Sequence, residues 1–135
     1  MDLGCGWGAV GVALKAITPE LSVVMTDINS RAVALAERNL ALNGLKAEVV
    51  QGDGFASVEG GFDAIITNPP IRAGKAVIYG LFDEASKRLN PGGQLFIVIR
   101  KQQGAPSALE HLRQRFNRAE VIDRSGGYRV IACGI

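Results

Sequence analysis

Asp2-Leu3-Gly4-Cys5-Gly6-Trp7-Gly8 opens the chain, and its reading decides the fold. The glycines sit between the end of a short strand, Met1 to Leu3, and the start of a helical pattern from Ala9 to Ala16. Glycine permits a tight turn there and lets backbone N–H groups come close to a ligand. Gly6-Trp7-Gly8-Ala9-Val10-Gly11 also matches the dinucleotide fingerprint G-x-G-x-x-G, which leaves a nicotinamide-linked oxidoreductase open.

Outward from that turn, strand and helix patterns alternate. Leu21 to Thr26 reads as a strand ending at Asp27. Asn29 or Ser30 caps a helix that runs to Asn43 and stops at Gly44. Ala47 to Gln51 is a third strand, and Phe62 to Thr67 a fourth with the continuous apolar core of a buried parallel strand. Val77, Leu81, Phe82, Ala85 and Leu89 recur at helical spacing. Asn90-Pro91-Gly92-Gly93 ends that helix in a sharp turn. Gln94 to Ile99 is a fifth strand and Ser107 to Phe116 a last helix. Glu120 to Ile122 and Tyr128 to Cys133 form an antiparallel hairpin through Ser125-Gly126-Gly127. The alternation predicts an α/β sheet with helices on both faces.

The composition fits one small globular domain. The chain has 135 residues, 47% of them hydrophobic, near the average of about 45–50%. Fifteen basic and 13 acidic residues leave a net charge of +2, which permits an anionic partner without requiring one. Two cysteines are too few for a disulfide framework and suggest a reducing, cytoplasmic setting. No signal peptide is visible, and no apolar run approaches the ~20 residues of a membrane span. Cys5 and Cys133 lack metal-ligand spacing and read as small buried fillers, so no metal is expected. His111 reads as a surface residue without a partner.

Two acids and one turn carry candidate chemistry beyond the glycines. Asp27, at the end of the second strand, suits the hydroxyls of a ribose. Asp53, in Gly52-Asp53-Gly54-Phe55, suits an adenine amino group, and Phe55 or Ile28 suits the ring or plain core. Asn68-Pro69-Pro70-Ile71 ends the fourth strand. Its prolines stiffen the turn and hold the Asn68 amide and the neighbouring carbonyls as an acceptor platform for a planar amino group. Arg72, Lys75, Arg100 and Lys101 follow strands four and five, where the ligand crevice of an open α/β sheet lies, and suit a phosphate backbone.

D-x-G-x-G-x-G, an acid after strand two, an acid after strand three, and N-P-P after strand four together resemble the class I S-adenosylmethionine-dependent methyltransferases. Pro91-Gly92-Gly93 adds to the likeness. The segments Asn68 to Lys75 and Arg100 to Ala105 look closest to the small-subunit ribosomal RNA guanine-N2 methyltransferases. The resemblance implies a Rossmann-like sheet of order 3-2-1-4-5-7-6. It implies S-adenosylmethionine held by Asp2, Gly4, Gly6, Gly8, Asp27, Ile28, Asp53, Phe55 and Asn68. It further implies that Asn68, Pro69 and Pro70 orient the amino group, with Ile71 and the four cations facing RNA or the small ribosomal subunit. A target inside a duplex must be flipped out or unpaired to reach such a site.

Two departures stand out. Many N-P-P enzymes carry an aromatic residue where this chain has Ile71, so stacking from that position is absent. Only Met1 precedes Asp2, whereas strands average about 5–6 residues. The expectation is a catalytic domain over residues 1–135 whose first strand is truncated and whose N-terminal segment is missing, rather than a short edge strand. Rival readings are methylation of a glutamine side chain or of adenine, which Ile71 mildly disfavours, the oxidoreductase, and a non-catalytic RNA-binding fragment.

Overall fold

The computed structural model describes residues 1–135. Its seven strands form one sheet of order β3-β2-β1-β4-β5-β7-β6, the order that the resemblance implies. The chain divides into two compact units, Met1–Glu59 and Gly60–Ile135.

The first unit runs β1 (Asp2–Leu3), α1 (Ala9–Ile17), β2 (Val24–Asp27), α2 (Ser30–Leu42) and β3 (Glu48–Gln51). The strands pair in parallel, with Leu3 opposite Thr26 and Met25 opposite Val49. Val23, Met25, Ala36, Leu40 and Cys5 form its core, with Val12, Leu45, Ala47 and Val49 packed against them. Strand β2 starts at Val24, later than the apolar run suggests. The Lys15 ammonium donates to the carbonyls of Pro19 and Leu21 at 2.6 and 2.7 Å, so the Leu21 carbonyl is engaged outside the ladder. Helix α2 begins as expected, the Asn29 side chain accepting from the Arg31 N–H at 2.9 Å. It ends in a Schellman motif. Gly44, at φ +63°, donates to the Ala41 carbonyl, and Leu45 donates to that of Leu40.

The second unit runs β4 (Phe62–Thr67), a 3₁₀ turn (Ile71–Ala73), α3 (Lys75–Arg88), β5 (Leu89–Arg100), a second 3₁₀ turn (Lys101–Gln103), α4 (Ala105–Arg115), β6 (Arg118–Ser125) and β7 (Tyr128–Gly134). Strands β4 and β5 are parallel, while β5–β7 and β6–β7 are antiparallel. Ile65, Leu95, Ile97, Ile131 and Cys133 are fully buried in the strands, and Phe82 of α3 and Leu112 of α4 in the helices. The hairpin turns on Gly126 and Gly127, at φ +56° and +80°, which is the left-handed pair a tight two-residue hairpin needs.

The structure corrects three further expectations. Asn90 to Gly93 does not simply end the helix, because β5 already begins at Leu89, opposite Phe62. The register then shifts, and Gln94 pairs with Ala64, so the Pro-Gly-Gly stretch is an outward loop within the strand. Gly93 is required there: a Cβ would lie 2.8 Å from the Asn90 carbonyl and 3.0 Å from that of Phe62. Strand β6 spans Arg118–Ser125, longer than the Glu120 to Ile122 segment read from the sequence, since an edge strand can carry polar residues along its length. His111 is not a lone surface residue. Its Nε2 lies 2.8 Å from Asp83 Oδ1, its ring stacks on Tyr79 at 4.2 Å, and its side chain is 15% exposed. Arg115 donates to the same Asp83 oxygen at 3.1 Å, which clasps α4 to α3.

Candidate active site

In the first unit, β1 leads straight into the glycine turn. Gly4, Gly6 and Gly8 all have positive φ, at +70°, +55° and +97°. They divide by what surrounds them. A Cβ on Gly4 or Gly6 would meet nothing within 4 Å, so both face open space. A Cβ on Gly8 would lie 2.9 Å from Met25 Cε and 3.2 Å from Ala36 Cβ, so Gly8 lets α1 pack closely on β2 and α2. Gly11 is tighter still, because a Cβ there would lie 2.5 Å from Met25 Sδ.

Asp2 is buried at 4% exposure and accepts from the Gly11 N–H at 3.0 Å, anchoring the first turn of α1 to β1. Burial pushes its carboxyl above the usual carboxylate range, and the nearby Asp27 charge adds to this, while the Gly11 hydrogen bond and the N-terminal charge oppose it. Cys5 lies behind the turn, its N–H donating to the Thr26 carbonyl at 2.7 Å. Burial, with the charges of Asp2 and Asp27, pushes the Cys5 thiol up to about 12. Burial alone does the same to Cys133. Both cysteines are therefore the buried fillers the sequence suggests.

Asp27 ends β2 beside the turn. Its Oδ2 accepts from the Gly6 N–H and its Oδ1 from the Asn29 N–H, both at 2.9 Å. Each oxygen retains a second lone-pair direction, so the carboxylate is held still and can accept two further hydroxyls. The carbonyl of Trp7 is held from α2 by Asn39 Nδ2 at 2.8 Å. Asp53 is exposed just after β3. Of the two candidate ring neighbours, Phe55 is 2% exposed and belongs to the interior, while Ile28 is 65% exposed. Sequence reasoning misses Gly11, Asn29 and Asn39 as supports of the site. Gly11 is visible as the last glycine of the G-x-G-x-x-G match, and Asn29 as a helix cap, whereas no local signal marks Asn39.

This donor set fits a nucleoside-bearing sulfonium cofactor. Two glycines open a cradle that any side chain would fill, and a carboxylate is fixed at its rim. No group of three or more His, Cys, Asp or Glu side chains is placed to hold a metal.

In the second unit, the buried Thr67 ends β4 and leads into Asn68-Pro69-Pro70. Asn68 is exposed and its amide makes no hydrogen bond within the chain; Pro69 behind it is buried, and Pro70 is exposed. The Pro70 carbonyl accepts from the Ala73 N–H at 2.9 Å and starts the 3₁₀ turn, in which Ile71 is half-buried. Gly74, at φ +91°, then turns the chain into α3. Thr67 pairs with Ile97, so β4 and β5 run out at the same end of the sheet, with β5 continuing to Arg100. Arg72, Lys75, Arg100 and Lys101 are thus brought to one edge of this unit, and all are exposed. The Arg100 guanidinium lies 4.9 Å from the centre of the Tyr128 ring. No helix is long and apolar enough to cross a membrane.

Comparison with known proteins agrees with this arrangement. The family model described as the methyltransferase small domain matches residues 1–132. The uncharacterized protein YbxB of Bacillus subtilis is 40% identical over 134 residues, which are 97% of this chain and 67% of that protein. Ribosomal RNA small subunit methyltransferase C of Haemophilus influenzae is also 40% identical over 134 residues, 96% of this chain. The chain spans only 40% of the length of that enzyme. Among solved structures, the T. thermophilus 16S rRNA N2 methyltransferase in complex with AdoMet and guanosine superposes with a TM-score of 0.85 at 28% identity. That match covers 98% of this chain and 36% of the other. The chain belongs to the methyltransferase small domain family, within the class I S-adenosylmethionine-dependent methyltransferases.

Proposed function

We propose that residues 1–135 form a catalytic domain that methylates an exocyclic amino group, with guanine N2 of small-subunit ribosomal RNA as the target, in the cytoplasm. The observation that carries this reading is Asn68: an exposed amide without an internal partner, backed by buried Pro69, at the end of β4. The similarity to ribosomal RNA small subunit methyltransferase C supports the RNA target, as does the likeness to the T. thermophilus enzyme bound to guanosine.

S-adenosylmethionine, when bound, supplies a methyl group already activated on a sulfonium, so the site need not activate the donor. The difficulty is the acceptor nitrogen, whose lone pair is delocalised into the base. In this reading the Asn68 amide oxygen and the Pro69 carbonyl accept the two N–H bonds of the amino group. That draws the nitrogen toward tetrahedral geometry and stabilises the positive charge that develops on it. Asp27 holds the ribose hydroxyls, and Gly4 and Gly6 leave room for the rest of the nucleoside. Arg72, Lys75, Arg100 and Lys101 neutralise RNA phosphates.

The test is methyl transfer from labelled S-adenosylmethionine to small ribosomal subunits, to free small-subunit RNA and to a glutamine-bearing ribosomal protein mixture, followed by mass spectrometry of the nucleosides and of the tryptic peptides. N2-methylguanosine is the expected product. N6-methyladenosine or methylglutamine would replace the substrate assignment, and cofactor binding without transfer to any of them would remove the catalytic one.

A further inference from the structure

The β6–β7 hairpin tip carries a charge arrangement that the fold does not explain. A register shift between Val121 and Asp123 places Arg124 directly opposite Arg129 on the neighbouring strand. Like charges directly opposite each other in an antiparallel pair are destabilising. No carboxylate relieves this pair: the ion pairs of this unit involve Asp83 and Glu120. Asp123, the nearest acid in sequence, accepts from the Arg124 backbone N–H at 2.9 Å. Arg129 donates only to the Tyr128 carbonyl, at 3.0 Å.

The tip is also tied to the cationic edge described above. Tyr128 sits opposite Arg100 in the ladder, with the Arg100 guanidinium over its ring. The Lys101 N–H donates to the Gly127 carbonyl at 2.9 Å. By the ladder register, Arg100 and Tyr128 share one face of the sheet and Arg124 and Arg129 the other. The hairpin end is therefore cationic on both faces and continuous with Lys101, and the Tyr128 ring backs the Arg100 guanidinium at 4.9 Å.

We propose that this hairpin tip, Arg124 and Arg129 with the Arg100–Tyr128 stack, is a docking surface for the single-stranded RNA flanking the methylated nucleotide. The proposal rests on the RNA-methyltransferase reading and adds a second contact region to it. Charge complementarity selects a polyanion, and a planar guanidinium backed by an aromatic ring selects one with bases to stack. The paired arginines serve as phosphate ligands, which is why their mutual repulsion is tolerated.

The experiment uses the full chain and a fluorescein-labelled single-stranded oligoribonucleotide, with binding followed by anisotropy over a salt series. Arg124→Ser with Arg129→Ser should weaken binding at least ~5-fold at low salt and reduce the salt slope by about one to two. Tyr128→Leu should weaken binding with the slope kept, as loss of stacking does. The double variant should melt no lower than the parent, since a repulsion has been removed, and should bind S-adenosylmethionine as tightly by calorimetry. Arg124→Lys with Arg129→Lys should restore the slope.

An unchanged slope and affinity in the double variant would overturn the proposal. So would a double variant that keeps RNA binding and, in a vesicle sedimentation assay, loses binding to anionic phosphatidylserine vesicles that the parent shows. If the hairpin variants behave as the parent while the parent still methylates RNA, the hairpin assignment fails and the function stands. A parent that neither binds nor methylates RNA overturns both.

Discussion

The two classes of glycine around the first turn should respond oppositely to the same small change. Gly6→Ala adds a methyl where nothing lies within 4 Å, so the fold cost is conformational only. Holding alanine at φ +55° costs about 1–2 kcal/mol. The methyl points into the cradle, so the larger effect should fall on the ligand: about 1–3 kcal/mol, or roughly 5- to 150-fold in affinity. Gly11→Ala is the converse. Its helical backbone suits alanine, worth about 1 kcal/mol in propensity. The new Cβ would lie 2.5–2.8 Å from Sδ, Cγ and Cε of Met25, which is fully buried on β2. Overpacking of that kind costs about 1–3 kcal/mol. The balance is about 1 kcal/mol of destabilisation, or a melting temperature lower by roughly 3–4 °C. In a Met25→Ala background the same substitution should become neutral or favourable, because the two side chains compete for one space. Thermal melts and calorimetry with S-adenosylmethionine read both axes. Parental affinity in a folded Gly6→Ala, or a Gly11→Ala penalty unaltered by Met25→Ala, would refute the division.

Asp27→Ala should lower S-adenosylmethionine affinity by about 1–3 kcal/mol through lost hydroxyl contacts and a freed Gly6 N–H, measured by titration; an unchanged Kd would remove the ribose role. Asn68→Ala should leave cofactor affinity nearly intact and slow methyl transfer at least ~100-fold in single-turnover assays. A rate within a few-fold of the parent would reduce N-P-P to a turn. With both thiols buried and pushed up to about 12, Cys5 and Cys133 should resist iodoacetamide at pH 8 in the native chain and react fully in urea. Rapid native labelling of either would contradict the burial.

The features legible in the sequence are those that local chemistry decides. Strand β4 is legible to both its ends because Gly61 precedes it and Asn68-Pro69 follows it, around the apolar core Ala64-Ile65-Ile66. The α2 caps are legible because Asn29 and Gly44 act on their own neighbours. The features that differ from expectation need distant partners. β2 starts beyond Leu21, whose N–H and carbonyl are taken by Thr18 and Lys15, and β5 reaches back to Leu89 opposite Phe62. The partner of His111 lies 28 residues away on another helix. At the site, the left-handed glycines and the places of Asp27 and Asn68 at the ends of β2 and β4 follow from local spacing. That Asp2 serves α1, or that Arg124 faces Arg129, depends on hydrogen bonds and register that no motif encodes.

Trp7 is the single tryptophan of the chain, it is 58% exposed, and it stands between the two glycines of the turn most different in surroundings. Because Asn39 pins its carbonyl, the backbone beneath the indole is held while the ring stays wet. The protein thereby contains its own optical probe. Its emission reports the polarity of the glycine turn alone, without a background from other indoles. S-adenosylmethionine binding at the proposed cradle should change that emission on unlabelled protein, and the tyrosine-bearing hairpin remains spectrally separate.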